Sequence, residues 1–173
     1  NAGIHEGARV TWSVAASCGR CFFCSHELPQ KCERLFKYGH EMIRADHPLS
    51  GGLAEYCHLA RGTAMVKLPE TLPDTVACPV NCATATVAAG LRAGGGCQDE
   101  GGLVQGAGML GLTLCAMAHS YGAKEVIVCD VDEERLQQTG RFGASRCIRV
   151  TGPTDELMET VQDCTGGRGV DLA

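Results

Sequence analysis

The 173-residue sequence lacks the features that would place a protein on nucleic acid or in a membrane. No two Lys or Arg residues are adjacent, and 15 basic against 20 acidic residues leave a formal charge of −5. A phosphate-backbone partner is therefore not expected. Apolar runs such as 126–129 stop after four or five residues, far short of the ~18 that cross a bilayer. No charged start followed by an apolar stretch opens the chain, so nothing points to an oxidising compartment, and a cytoplasmic setting is expected. Disorder is excluded too, because 45% of the residues are apolar, enough to bury a core.

The chain opens at Asn1 without a Met and closes on Gly169-Val170-Asp171-Leu172-Ala173, which reads like the start of a buried strand. An internal fragment of a longer protein is the expectation.

What is abundant is cysteine, 12 residues of 173, below the density of a secreted disulfide scaffold. Cys18, Cys21, Cys24 and Cys32 form one cluster. Two residues separate each of the first three thiols and seven precede the fourth, so a tight double turn and a returning loop can place four sulfurs round one ion. That is tetrahedral zinc geometry with every position filled, which braces a loop and binds no substrate. An iron–sulfur ferredoxin pattern would continue with three residues and Cys-Pro, which does not occur here. Arg20 and Lys31 can offset the charge of a zinc tetrathiolate. The remaining thiols, Cys57, Cys78, Cys97, Cys115, Cys129, Cys147 and Cys164, lack ligand spacing and read as core or loop thiols.

Two halves emerge. Residues 1–83 look β-rich, with alternation over 8–14, where Trp12 reads as core, and a further strand over 51–59. Residues 84–173 alternate element types. A helix over 82–92 stops at Gly94-Gly95-Gly96. It is followed by a strand at 103–105, a helix over 109–121, a strand at 126–129, a helix over 133–139, a strand at 147–150, a helix over 155–164 and a strand from Val170. Strands separated by such helices imply right-handed crossovers and a parallel sheet. The fold class expected is α/β, a β-rich portion with a metal lobe followed by part of a doubly wound parallel sheet.

Gly106-Ala107-Gly108-Met109-Leu110-Gly111 sits between the strand at 103–105 and a helix, which is the context a dinucleotide fingerprint requires. Gly106 makes the tight turn, Gly108 lets backbone approach a pyrophosphate, and Gly111 lets helix and strand pack closely. The helix N-terminus then faces the phosphates. Asp130, nineteen residues past Gly111, ends the next strand, where a carboxylate bonds ribose hydroxyls. No cation at Val131 or Asp132 compensates a 2′-phosphate, so NAD is favoured over NADP. Asp132-Glu133-Glu134 reads as the acidic first turn of a helix.

A four-cysteine lobe followed about 74 residues later by a dinucleotide fingerprint resembles the zinc-containing medium-chain alcohol dehydrogenase family. Gly51-Gly52-Leu53-Ala54-Glu55-Tyr56 is similar to the family's Gly-Gly-apolar-Ala-Glu-Tyr strand, and Cys82-Ala83-Thr84-Ala85-Thr86 to its Cys-x-x-x-Thr segment. Together with Ser13–Cys24 in outline, Asn81 to Thr86 most resembles the branch found alongside phosphonate-catabolism genes. The resemblance implies a GroES-like catalytic portion over 1–83 and an NAD-binding Rossmann portion over 84–173. It implies hydride transfer between a small-molecule alcohol or aldehyde and NAD, with Cys82 as a ligand of a second, catalytic zinc and Thr86 against the nicotinamide. The family's Gly-His-Glu ahead of the lobe has no counterpart in register, since His5-Glu6 and Gly39-His40-Glu41 fall elsewhere and read as loop residues. One Cys cannot fix a catalytic metal, so this chain alone is expected to have little or no activity. Family subunits pair through late sheet strands that the sequence does not contain, which leaves homo-oligomerisation open. The competing reading is a non-catalytic, zinc-braced dinucleotide-binding module, and a zinc-free quinone reductase of the same superfamily is a third. Cys82 with Thr86 speaks against the module, and the intact four-cysteine lobe against the reductase.

Overall fold

The computed structural model describes residues 3–173, and the chain divides into two compact units with the boundary between Cys82 and Ala83. In the first, β1 (Val10–Ala16) is the middle of a three-stranded antiparallel sheet. It lies between β2 (Phe36–Lys37) and β3 (Thr63–Lys67). Val10 faces Lys67 and Trp12 faces Met65, and the register then shifts before Ala16 meets Thr63. Trp12 is half-buried in this sheet and not a core residue. Its strand has one partner on each side. α1 (Phe22–Ser25) and α2 (Asp74–Ala77) are single turns. Arg9 fastens the segment leading to α2, donating to the carbonyls of Pro69, Glu70 and Leu72 and pairing with Asp74.

The second unit begins with α3 (Ala85–Ala93). It continues through β4 (Gly101–Gln105), α4 (Met109–Ser120), β5 (Glu125–Asp130), α5 (Glu133–Thr139), β6 (Arg146–Arg149) and α6 (Thr154–Cys164). β4, β5 and β6 pair in parallel in that spatial order. The central strand carries Val126, Ile127, Val128 and Cys129, all buried. A strand covered on both faces demands such an unbroken apolar run. Val104, Ala107, Cys115, Ala118 and Leu136 complete the core around it. Gly102 pairs with both Val126 and Leu172, so the chain returns on the far side of β4. The strand order therefore reverses at β4. Ligands of open α/β sheets bind at such a reversal, beyond the carboxyl ends of the strands.

Three segments differ from the sequence reading. Residues 51–59 form bends without strand pairing, with Leu53 and Tyr56 exposed. The Gly51-Gly52 pair gives this stretch little β preference, and no neighbouring strand supplies a ladder. The helix expected over 82–92 is two pieces, a π-helical turn at Val80–Thr84 followed by α3. The strand expected from Val170 is a single parallel bridge at Leu172, with Leu103 donating to its carbonyl at 2.9 Å. Among the described residues no helix is long and apolar enough to cross a membrane.

Candidate metal lobe and dinucleotide cradle

Cys21 caps α1, and Ser25 donates its N–H to the Cys21 carbonyl at 3.0 Å, so one turn carries both Cys21 and Cys24. Their sulfurs lie 3.5 Å apart. A short 3₁₀ turn at Pro29–Lys31 then delivers the buried Cys32, whose Sγ is 3.9 Å from that of Cys21. The sulfurs of Cys18, Cys21, Cys24 and Cys32 all lie within 4.8 Å of one another. Zn–S bonds of about 2.3 Å require tetrahedral edges of about 3.8 Å. The four thiols therefore need only small shifts to fit zinc. Two backbone N–H groups, of Cys18 and Arg34, each donate to Cys32 Sγ at 3.3 Å.

The electrostatics of the lobe are uneven. The N–H of Arg20, helped by that of Cys21 and by the Cys32 and Arg34 side chains, brings the Cys18 thiol down to about 6. Cys21 is lowered as well, chiefly by the N–H of Cys24. Cys24 is pushed up to about 11, first by desolvation and then by its neighbouring thiols. Donors thus favour two thiolates, and a divalent cation is what would bring the set to four. Arg34, with both backbone and side chain at the sulfurs, is the residue that the cysteine spacing alone did not single out. Its place two residues after Cys32 was the available signal.

Cys82 and Thr86 occupy a different setting. Cys82 is exposed in the π-helical turn and Thr86 is exposed in the first turn of α3. π-Helical turns are rare and concentrate at functional sites. Among the described residues, the lobe is the one group of three or more His, Cys, Asp or Glu side chains arranged to hold a metal. Cys82 is thus a single thiol, and the described residues do not assemble a second zinc site around it. His5 and His40 are exposed, and their rings bond to the nearby backbone carbonyls of Glu6 and Tyr38. Of the other thiols, Cys97, Cys115 and Cys129 are buried, whereas Cys78 and Cys147 are exposed.

The glycine turn lies at the carboxyl end of β4. Gly106 has φ +102°, which L side chains rarely adopt, and its N–H donates to Cys129 O at 2.7 Å. Gly111 is buried against it, so close that a Cβ there would stand 1.8 Å from Gly106 O. At Gly108 the opposite holds, because a Cβ would meet no atom within 4 Å. Gly108 is the N-cap of α4 and no side chain caps this helix. Its first N–H groups, on Met109, Leu110 and Gly111, are left for an anion. Met109 and Leu110 expose their side chains.

Asp130 closes the cradle from β5. Its Oδ2 accepts the Ala107 N–H at 2.6 Å and its Oδ1 accepts the Asp132 N–H at 2.8 Å. These donors, Ala107 first, hold its carboxyl below the usual carboxylate range. Each oxygen keeps a further lone pair for a hydroxyl. Asp132 is the N-cap of α5 and accepts from the N–H groups of Glu134 and Arg135, so it is occupied by the helix.

A four-cysteine lobe in one unit, and in the other a parallel sheet with a dinucleotide-type turn at its reversal point, are the two parts found together in zinc-containing dehydrogenases. The comparisons agree. Residues 110–173 match the model of the family described as zinc-binding dehydrogenase. The chain is 31% identical over 173 residues to 5-exo-hydroxycamphor dehydrogenase of Pseudomonas putida, covering 98% of this chain and 46% of that protein. An alcohol dehydrogenase structure from Thermotoga maritima superposes with a TM-score of 0.87 at 27% identity, over 98% of this chain and 48% of that one. An Escherichia coli alcohol dehydrogenase solved in complex with cofactor NADH gives a TM-score of 0.69 at 28% identity, over 89% and 44%. The comparisons support the zinc-containing medium-chain dehydrogenase family for this chain, whose fold is a GroES-like portion followed by a Rossmann portion. It spans about half the length of the curated relatives it matches.

Proposed function

We propose that the protein containing this chain is a zinc-dependent oxidoreductase that moves a hydride between a small-molecule alcohol or aldehyde and NAD. The observation that carries the reading is the uncapped α4 N-terminus with open space at Gly108 and the Asp130 carboxylate beside it. Bound there, NAD supplies the hydride acceptor. The α4 N–H groups hold the pyrophosphate, and Asp130 accepts from the adenosine ribose hydroxyls. Asp130, held ionised by Ala107 and Asp132, repels a 2′-phosphate and so selects NAD over NADP. Thr86 orients the nicotinamide. Zinc held by Cys18, Cys21, Cys24 and Cys32 braces the lobe.

Cys82 is assigned as one thiolate ligand of the substrate-side zinc. A lone thiol does not fix that metal, so this chain by itself oxidises no alcohol. The non-catalytic module remains the second reading, favoured by the one metal site assembled among the described residues. A pair of titrations separates them. In the full-length protein, Cys82→Ser should retain NADH affinity and one zinc, lose the second zinc and abolish NAD-dependent alcohol oxidation. Unchanged zinc content in that variant would favour the module, and absence of NADH binding in the unsubstituted protein would refute both readings.

A further inference from the structure

Beside the metal lobe lies a cavity of about 850 Å³ whose lining includes Arg20, Arg34 and Arg61 together with Cys18, Phe36 and His47. The ion pairs found among the described residues use Arg9, Arg44, Arg135, Arg146 and Arg149. None of the three cavity arginines therefore has a carboxylate partner there. In an acidic chain of formal charge −5, three such arginines lining one cavity are a local exception.

They do not all serve the same purpose. Arg34 donates its backbone N–H to Cys32 Sγ at 3.3 Å, which ties it to the lobe. Arg20 and Arg61 come from separate loops. The Arg61 loop is pinned on both sides: Ala60 donates its N–H to the Tyr38 hydroxyl at 2.7 Å, and Thr63 Oγ1 donates to the Ala60 carbonyl at 2.7 Å. Gly62, at φ +94°, is pressed so closely on the neighbouring strand end that a Cβ would sit 2.1 Å from Ser17 O. Arg61 is thus set beside the Cys18–Arg20 turn by the fold. Two guanidinium groups lining one cavity supply the charge and the paired N–H donors that a doubly charged tetrahedral oxyanion accepts. The volume lies in the range of small-molecule sites and exceeds the needs of a bare anion.

We propose that this cavity binds the phosphoryl group of a small organic phosphomonoester between Arg20 and Arg61. The site is independent of the dinucleotide cradle, and its test is chosen to keep the two apart. The zinc-loaded chain is titrated calorimetrically with glycerol phosphate and with inorganic phosphate, alongside Arg20→Gln, Arg61→Gln and Gly108→Ala, with zinc content and melting temperature recorded for each. Saturable binding is expected, tighter for the ester than for free phosphate. Each arginine variant should weaken it about ten-fold or more while keeping its zinc. Gly108→Ala should leave it unchanged. The proposal is overturned by unsaturable binding, by equal affinity in the arginine variants, or by loss of binding in Gly108→Ala. Loss of zinc from Arg20→Gln or Arg61→Gln would overturn it as well, because these arginines would then serve the thiolates. Equal affinity for phosphate and the ester would overturn the assignment to an organic ligand.

Discussion

Alanine at Gly111 and alanine at Gly108 should fail in opposite ways. A Cβ on Gly111 falls 1.8 Å from Gly106 O, 2.9 Å from Gly106 C and 3.4 Å from Val104 Cγ1. Ordinary contacts need about 3.5 Å, so turn and helix must part by roughly 1.7 Å. Neither can yield cheaply, because Gly106 N is held to Cys129 O at 2.7 Å and Ala107 N to Asp130 Oδ2 at 2.6 Å. Overpacking costs about 1–3 kcal/mol in general, and two backbone atoms in the way place this case at the upper end. At about 2–4 °C per kcal/mol for a chain of this size, Gly111→Ala should lower the melting temperature by about 6–12 °C. Gly108 has φ −77° and no atom within 4 Å of a Cβ. Gly108→Ala should therefore melt within about 3 °C of the unsubstituted chain, the loss of a slightly better N-cap. Its NADH affinity should nevertheless fall by about ten-fold or more, since the methyl takes the space into which the pyrophosphate fits. The assay is calorimetric melting of the zinc-loaded chain followed by NADH titration. A Gly111→Ala chain that melts with the unsubstituted one would refute the packing argument, and a Gly108→Ala chain with intact NADH affinity would refute the cradle.

Further expectations concern the lobe, the carboxylate and the core. Cys32→Ser should release zinc from the chain, measured by metal analysis, because the buried thiol of the four is lost, whereas Cys82→Ser should keep one zinc per chain. Removing the metal with a chelator should expose the 18–32 loop to proteolysis while protection of β5 amides persists. Asp130 has its carboxyl lowered in the folded state, so its stabilising effect is full above the ordinary carboxylate value of about 3.9 and fades as pH falls through the lowered one. Melting of the chain across that acid range should decline more steeply than in Asp130→Asn, and parallel curves would contradict the bonds to Ala107 and Asp132. Ile127, wholly buried in β5, should cost about 2–5 kcal/mol on truncation to Ala, read from denaturant unfolding.

The parallel unit was legible because each of its signals is local. The run 126–129 can only be a strand covered on both sides, and Glu133–Thr139 is bounded by an Asp132 cap and Gly140, so expectation and structure coincide there. The spacing of Cys18, Cys21, Cys24 and Cys32 likewise encodes a geometry by itself. The segment 51–59 did not follow its pattern because a strand exists only through a partner. Phe36–Lys37 and Thr63–Lys67, the actual partners of β1, carry little pattern of their own. The role of Ala107 as a donor to Asp130 was hidden for another reason. A backbone N–H has no residue signature, and only the approach of β5 to the turn reveals it. The arginines of the lobe cavity are spread over 42 positions from Arg20 to Arg61 and meet only through the fold.

Native mass spectrometry of the chain in the presence of NADH tests the central claim most directly, because zinc and dinucleotide add distinct masses to one spectrum. The account predicts a species carrying one zinc and one NADH, with NADPH adding weakly. A chain that takes up no zinc, or that carries zinc but adds no NADH, would contradict it.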